Sequence, residues 1–212
     1  LIKYYKVQSY RKGMDEMFSK KILATMGMIL ILVIVTACGN QAIPNSKDWP
    51  VEDFTFTNQD NEKVSLKDLK GKVWVANFIF TNCNDVCLPM TANMSKLQAK
   101  LKAEGIKDVE LISFSIDPTV DSPEVLKQFG DKFKANYSNW DFLTGYEQAT
   151  IEEFAENSFK TLVKKPETGD QVLHGTSFAL INEEGTVVQT YAGLESFPID
   201  EIIKHIKILQ NY

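Results

Sequence analysis

The segment Phe78–Met90 (FIFTNCNDVCLPM) sets Cys83 and Cys87 four residues apart, directly behind an apolar run, in a chain of 212 residues that has three cysteines. Two thiols so placed can close a structural bridge, shuttle electrons or grip a metal ion. A disulfide stabilises a fold chiefly by closing a long loop in the unfolded chain, and this pair closes almost none. A chemical role is therefore favoured. Cysteines at i and i+4 on a helical turn share a face, with Cβ atoms roughly 5 to 6 Å apart. That is close enough to hold one soft ion, or to bridge after modest adjustment. Pro89 complicates the arrangement, because the residue before a proline is pushed away from helical angles. A helix starting just after the loop would favour thiolate, the form that serves as nucleophile and as metal ligand. Spacing alone leaves metal and redox chemistry both open.

A third residue must decide, and the chain has two histidines. His205 falls in an expected final helix beside Lys204 and Lys207, off the isoleucine stripe, and is expected to be solvated. His174 precedes Gly175-Thr176-Ser177 at the entrance to an expected hairpin strand, where neither a helix dipole nor a charge run accounts for it. It is either a loop histidine bonded to backbone or a member of the site.

Redox compartment bears on both options. Lys20 and Lys21 precede the apolar run Ile22–Val35, and small residues surround Cys38. This is the layout of a secretory signal, with an apolar stretch shorter than the roughly 20 residues that comfortably span a bilayer. Val35-Thr36-Ala37-Cys38 also resembles a bacterial lipobox, which implies that Cys38 becomes the lipidated first residue of the mature protein. Stable anchoring then needs more than one acyl chain; an uncleaved signal anchor is the alternative. Residues before Met17 look dispensable, and Met17-Phe18-Ser19-Lys20-Lys21 would make an ordinary signal start; Leu1, Met14 and Met17 all stay open as the translation start. The chain thus divides into a leader and signal peptide at 1–37, a tethering linker at 38–47 and a domain at 48–212, on the extracytoplasmic face of a bacterial cell membrane. Some 165 residues suit one domain with a full core. Past residue 37 there are 17 basic against 26 acidic side chains, a net charge of −9, which argues against nucleic acid as a partner. The only arginine is Arg11, in the leader. Chemistry that relies on a guanidinium is thereby excluded from the domain.

The elements that must position these residues follow from periodicity. Phe54–Thr57 alternates as a short strand, and Val73–Phe80 is apolar nearly throughout, as a buried strand is. Met90, Met94, Leu97 and Leu101 fall at helical spacing between Pro89 and Glu104, before Gly105. Val109–Ile116 is expected to be a second buried strand, ended by Asp117-Pro118. Ser122 is an N-cap candidate with Pro123 at the first helical position. Trp140–Leu143 reads as a short strand and 146–159 as a helix. Ser177–Ile181 and Thr186–Tyr191 read as a hairpin, and Ile199–Leu209 as the last helix. Strands alternating with helices, then a hairpin and a helix, predict an α/β sandwich with a mostly parallel central sheet and helices on both faces. Ligands gather beyond the carboxyl ends of such strands, where Cys83, Cys87 and Asp117 all lie.

From Phe54 to Cys87, the order of strand, Gly71-Lys72, buried strand and cysteines resembles the thioredoxin superfamily. More narrowly, Cys83-Asn84-Asp85-Val86-Cys87, then Ser115-Ile116-Asp117-Pro118-Thr119-Val120-Asp121-Ser122-Pro123, then His174, resembles the SCO/SenC family of copper proteins. The likeness runs over essentially the whole mature domain. It implies a thioredoxin-like domain that binds copper through Cys83, Cys87 and His174 and delivers it to the CuA centre of cytochrome c oxidase subunit II. It also implies an acidic residue near the site at Asp117, a tuner of the site and not a ligand; an Asp-Pro turn residue is the plainer reading. Soft thiolates favour Cu(I), and imidazole suits copper in either state. Structural zinc normally takes four protein ligands, and the mature domain offers no third cysteine.

The family commonly carries proline just after each cysteine, where this chain has Asn84 and Leu88. The chief rival is a thiol-disulfide oxidoreductase that keeps the CuA cysteines reduced, with Cys83 attacking and Cys87 resolving. Reductases of this fold usually show C-x-x-C and a proline at the place of Gly175. A peroxidase of the peroxiredoxin type would need an arginine. An upstream copper chaperone or a thiol reductant is a further expected partner.

Overall fold

The computed structural model describes residues 42–83, 85–169 and 171–211. The expected leader, the expected lipidation site Cys38 and the start of the expected linker lie outside the described residues. The elements run β1 (Trp49–Pro50), β2 (Thr55–Thr57), β3 (Lys63–Ser65), α1 (Leu66–Leu69), β4 (Val73–Ile79), α2 (Cys87–Ala103), β5 (Val109–Ser115), α3 (Pro123–Lys132), β6 (Trp140–Leu143), α4 (Gln148–Phe159), β7 (Val163–Lys164), β8 (Leu173–His174), β9 (Ser177–Ile181), β10 (Thr186–Ala192) and α5 (Ile199–Leu209).

Six strands form the central sheet in the order β1-β10-β9-β4-β5-β6. β4, β5 and β6 pair in parallel. β9 joins β4 antiparallel and carries β10, then β1, in the same sense. The sheet is therefore mixed, not mostly parallel, because the closing hairpin enters beside β4 and turns its half antiparallel. All seven residues of β4 are buried, as its unbroken apolar run requires of a strand covered on both faces.

Pleating sends alternate residues of β4 and β5 to opposite faces. On one face Phe78 stacks on Phe114 at 5.5 Å, and Phe154 and Phe159 of α4 meet Phe114 at 5.3 and 5.8 Å. Phe54 and Phe56, around β2, close the same aromatic cluster. The other face meets α3, whose Phe129 contacts Phe142 of β6. α2 is tied to the segment after α3 through Ser95, bonded to the Phe133 carbonyl, and Gln98, bonded to the Asn136 carbonyl. Lys207 of α5 pairs with Glu104 beyond the end of α2 at 2.7 Å. Helices thus cover both faces.

α3 begins as its sequence directs: the Ser122 hydroxyl accepts from the Val125 amide, and Pro123 opens the first turn. α2 begins two residues earlier than its periodicity suggests. Pro89 is its third residue, where an amide would have no intrahelical partner, so the missing N–H costs the helix nothing. Cys87 is consequently the first residue of α2.

Candidate metal centre

Three segments meet beyond the carboxyl end of β4. The first is the turn from β4 into α2, which carries Cys83 and Cys87. Cys83 is 6% exposed and Cys87 fully buried, both as free thiols. The Cys87 amide, an orphan donor at the helix start, donates to Cys83 Sγ at 3.3 Å. Helix α2 thereby fixes both sulfurs.

The second segment is the hairpin of β7 and β8, a two-stranded sheet of its own in which Val163 pairs with His174. It brings His174 Nε2 to 3.4 Å from Cys87 Sγ. His174 Nδ1 lies 2.8 Å from the Gly175 carbonyl. That oxygen can only accept, so Nδ1 carries the proton and Nε2 turns its lone pair toward the sulfurs. Phe80 backs the imidazole edge-on at 5.9 Å. A methyl at Gly175 would overlap the Thr161 hydroxyl, so a glycine, and not the proline of thioredoxin-fold reductases, suits the base of this hairpin. Ligand atoms of Cys83, Cys87 and His174 all lie within 4.8 Å of one another.

The third segment is the turn from β5 into α3, with two buried acids. Asp117, the expected tuner, accepts from Lys165 Nζ at 2.6 Å and from Thr119 Oγ1 at 2.8 Å, and it is not among the ligand atoms of the cluster. Asp121, which the sequence reading did not single out, is the acid bound to the cysteine turn. It accepts from the Thr81 amide at 3.2 Å, from Thr81 Oγ1 at 2.5 Å and from Ser115 Oγ at 2.6 Å. Burial pushes its carboxyl pKa up, against those hydrogen bonds.

Burial also overturns the expectation that the helix start favours thiolate at Cys87. Desolvation, then the contact with the Cys83 sulfur, drives its thiol pKa far up, and the nearby Asp121 charge adds to this. Desolvation likewise lowers the pKa of His174, outweighing its bond to Gly175, which keeps the ring neutral and able to ligate. His205 is not solvated as expected: it is 3% exposed and lies 2.8 Å from the Tyr191 hydroxyl, remote in role from the cluster. The helix face that packs on β10 is wider than the isoleucine stripe.

The donor set fits a soft ion. Two sulfurs and one imidazole suit Cu(I) and remain competent for Cu(II), and three protein donors leave a position for an incoming ligand. Leu88, Val120, Leu162 and Leu173, the large apolar side chains exposed among the described residues, sit on the three segments that converge here.

Known proteins resemble this chain in sequence and in fold. The SCO1/SenC family profile matches residues 44–211. An SCO1 protein homolog of Bacillus subtilis is 52% identical over 187 residues, 88% of this chain and 96% of its own length. A SCO1/SenC family lipoprotein from Bacillus anthracis superposes with a TM-score of 0.77 at 50% identity, covering 80% of this chain and 99% of that one. BsSco, in which a disulfide switch was identified and which is a member of the Sco family of cytochrome c oxidase assembly proteins, gives 0.74 at 54% identity over 80% and 98%. Copper-bound ScoI of Bradyrhizobium japonicum shares the fold at 24% identity, with a TM-score of 0.63 over 76% and 99%. With the family profile running over well more than half its length and a relative this similar along nearly all of it, the chain belongs to the SCO1/SenC family.

Proposed function

We propose that this domain is a copper carrier: it takes one copper ion as cargo on Cys83, Cys87 and His174 and passes it to the CuA centre of cytochrome c oxidase subunit II. The observation that carries this is the imidazole of a separate hairpin brought, in the ligating tautomer, against a sulfur 87 residues away. A histidine serving only to satisfy backbone would have no need of that neighbour. Family membership supports the choice of copper over other soft ions, as does the copper held by a solved relative and the oxidase-assembly role of BsSco.

Delivery fits three donors that leave a coordination position for a partner's ligand, and the exposed apolar side chains on the converging segments offer a partner something to contact. Tethering through a lipidated Cys38 on the extracytoplasmic face would hold the carrier beside a membrane-bound oxidase; the sequence around Cys38 and the lipoprotein nature of the Bacillus anthracis relative support it. The test is transfer: metal-free CuA domain mixed with two equivalents of loaded carrier, one as Cu(I) and one as Cu(II), should yield the CuA spectrum at the expense of the Cu(II) carrier's absorption. Persistence of all copper on the donor would speak against delivery.

A second reading rests on the sulfurs themselves. Both thiols are free, and Cys83 is the less buried, which suits attack by Cys83 on a partner's disulfide and resolution by Cys87. Reduction of the CuA cysteines and delivery of copper are compatible in one protein, since oxidation of the pair would remove two donors. An upstream copper chaperone or a thiol reductant would load or reset the site.

A further inference from the structure

The nitrogen donor stands on a part of the fold that the central sheet does not hold. β8 pairs with β7, each is two residues long, and among the described residues neither joins the six-stranded sheet. An isolated hairpin of this size has no stability of its own, so its position depends on what ties it down.

Buried Val163 and Val172 supply apolar contact, and Gln171 Nε2 reaches the Asn82 carbonyl at 3.1 Å, beside Cys83. Lys164 Nζ adds an exposed contact to Glu152 of α4 at 2.9 Å, and three further bonds converge on Lys165, which follows β7 directly. Its backbone amide donates to Glu152 Oε1 of α4 at 2.9 Å. Its ammonium donates to Asp117 Oδ1 at 2.6 Å and to Thr119 Oγ1 at 2.7 Å. Lys165 therefore clamps the hairpin to α4 and to the turn after β5 together.

The pair differs in kind from its neighbour. Side-chain exposure is 26% for Lys165 and 3% for Asp117, whereas Lys164, paired with Glu152, is 66% exposed. Exposed pairs contribute little. Removing one member of a buried pair leaves an uncompensated charge and costs far more.

Building on the copper reading above, we propose that Lys165 is a positioning residue: through its ion pair with Asp117 it latches the β7–β8 hairpin, and so holds His174 Nε2 against the Cys87 sulfur. The sulfurs are held at the start of α2, where the Cys87 amide donates to Cys83 Sγ, and make no contact with Lys165 or Asp117 among the bonds given above. Opening the latch withdraws the imidazole alone, leaving copper on two thiolates and exposed to a partner's ligand.

The test compares the unaltered domain with Lys165→Gln, Lys165→Arg and Lys164→Gln. In metal-free protein, amide hydrogen exchange across 163–175 should quicken at least about tenfold in Lys165→Gln while amides of β4 and β9 keep their protection. Lys164→Gln should leave the hairpin unchanged, and Lys165→Arg should restore most of its protection. In Cu(II)-loaded protein, Lys165→Gln should weaken the nitrogen hyperfine coupling seen by electron paramagnetic resonance. Copper affinity should fall about 10- to 100-fold, the range for groups that orient a metal ligand, with sulfur-to-copper absorption retained. A pairwise latch further predicts that Asp117→Asn combined with Lys165→Gln loses no more than the worse single variant.

Unchanged exchange and unchanged nitrogen coupling in Lys165→Gln would overturn the latch, and so would faster exchange throughout the domain. Failure of the unaltered domain to bind copper would instead overturn the metal reading, and the hydrogen-exchange comparison would still judge the latch.

Discussion

His174 and Cys87 stand 87 residues apart in the chain, yet Nε2 of one lies 3.4 Å from the sulfur of the other, with Nδ1 turned to the Gly175 carbonyl. The ring is thus presented for ligation before any ion arrives. His174→Ala should lose more than about 100-fold in copper affinity, beyond the usual effect of a group that only orients a ligand. The same variant should keep its dithiol exchange, which uses sulfur alone. Competition against a Cu(I) chelator, with disulfide formation followed in parallel, separates the two activities.

The sulfurs act together on the metal. Cys83→Ser and Cys87→Ser should each abolish tight Cu(I) binding, since a hydroxyl is a hard, protonated donor at neutral pH. Chelator competition again provides the measurement. Tight binding surviving in either variant would mean that the cluster is not used as a unit.

The raised pKa of Cys87 means that its thiol is protonated in the metal-free protein at neutral pH. Binding must expel that proton, so copper affinity should rise with pH by about tenfold per unit for each proton displaced. Titrations between pH 6 and 8 in weak buffer, with the proton release recorded, check this. No proton release at neutral pH would show that Cys87 was already thiolate.

Histidine burial gives a second pH effect, on stability. The folded pKa of His205 is lowered from the ordinary 6.5, mainly by desolvation. Below about 6.5 the unfolded chain takes up a proton that the folded chain refuses, so stability is complete above that pH and declines as pH falls toward the folded value. Urea midpoints of the metal-free domain at pH 7.5 and 5.5 should differ less in His205→Gln than in the unaltered protein. An equal difference would place the titration elsewhere.

Asp121 is held by three donors within its own corner of the fold, two of them from Thr81 at the start of the cysteine turn. Asp121→Ala leaves those donors buried without a partner and should destabilise the domain by about 3 kcal/mol. Chemical denaturation measures the loss. A change below about 0.5 kcal/mol would mean that water takes over the carboxylate's role.

Regular elements were legible because composition marks both their interior and their ends. Trp140–Leu143, Ser177–Ile181 and Ile199–Leu209 fall where their periodicity places them, and Ser122-Pro123 opens α3 as capping chemistry requires. The hairpin bearing His174 escaped, since two-residue strands have no period to read. Its clamp escaped too: nothing local joins Lys165 to Asp117 across 48 positions. Asp117 and Asp121 share one short motif, and only the path of the turn decides which acid faces Thr81. His205 is buried against Tyr191 on another element, a contact that helical periodicity does not carry. The mixed sheet depended on where the final hairpin docks, which strand composition does not encode.

Anaerobic copper titration of the domain, run beside His174→Ala, addresses the central claim most directly. The account predicts one equivalent bound by the unaltered domain, with thiolate-to-copper charge-transfer absorption and nitrogen coupling in the Cu(II) state, and a variant that loses the nitrogen coupling and most of the affinity. Equal stoichiometry, affinity and spectra in the two proteins would contradict it.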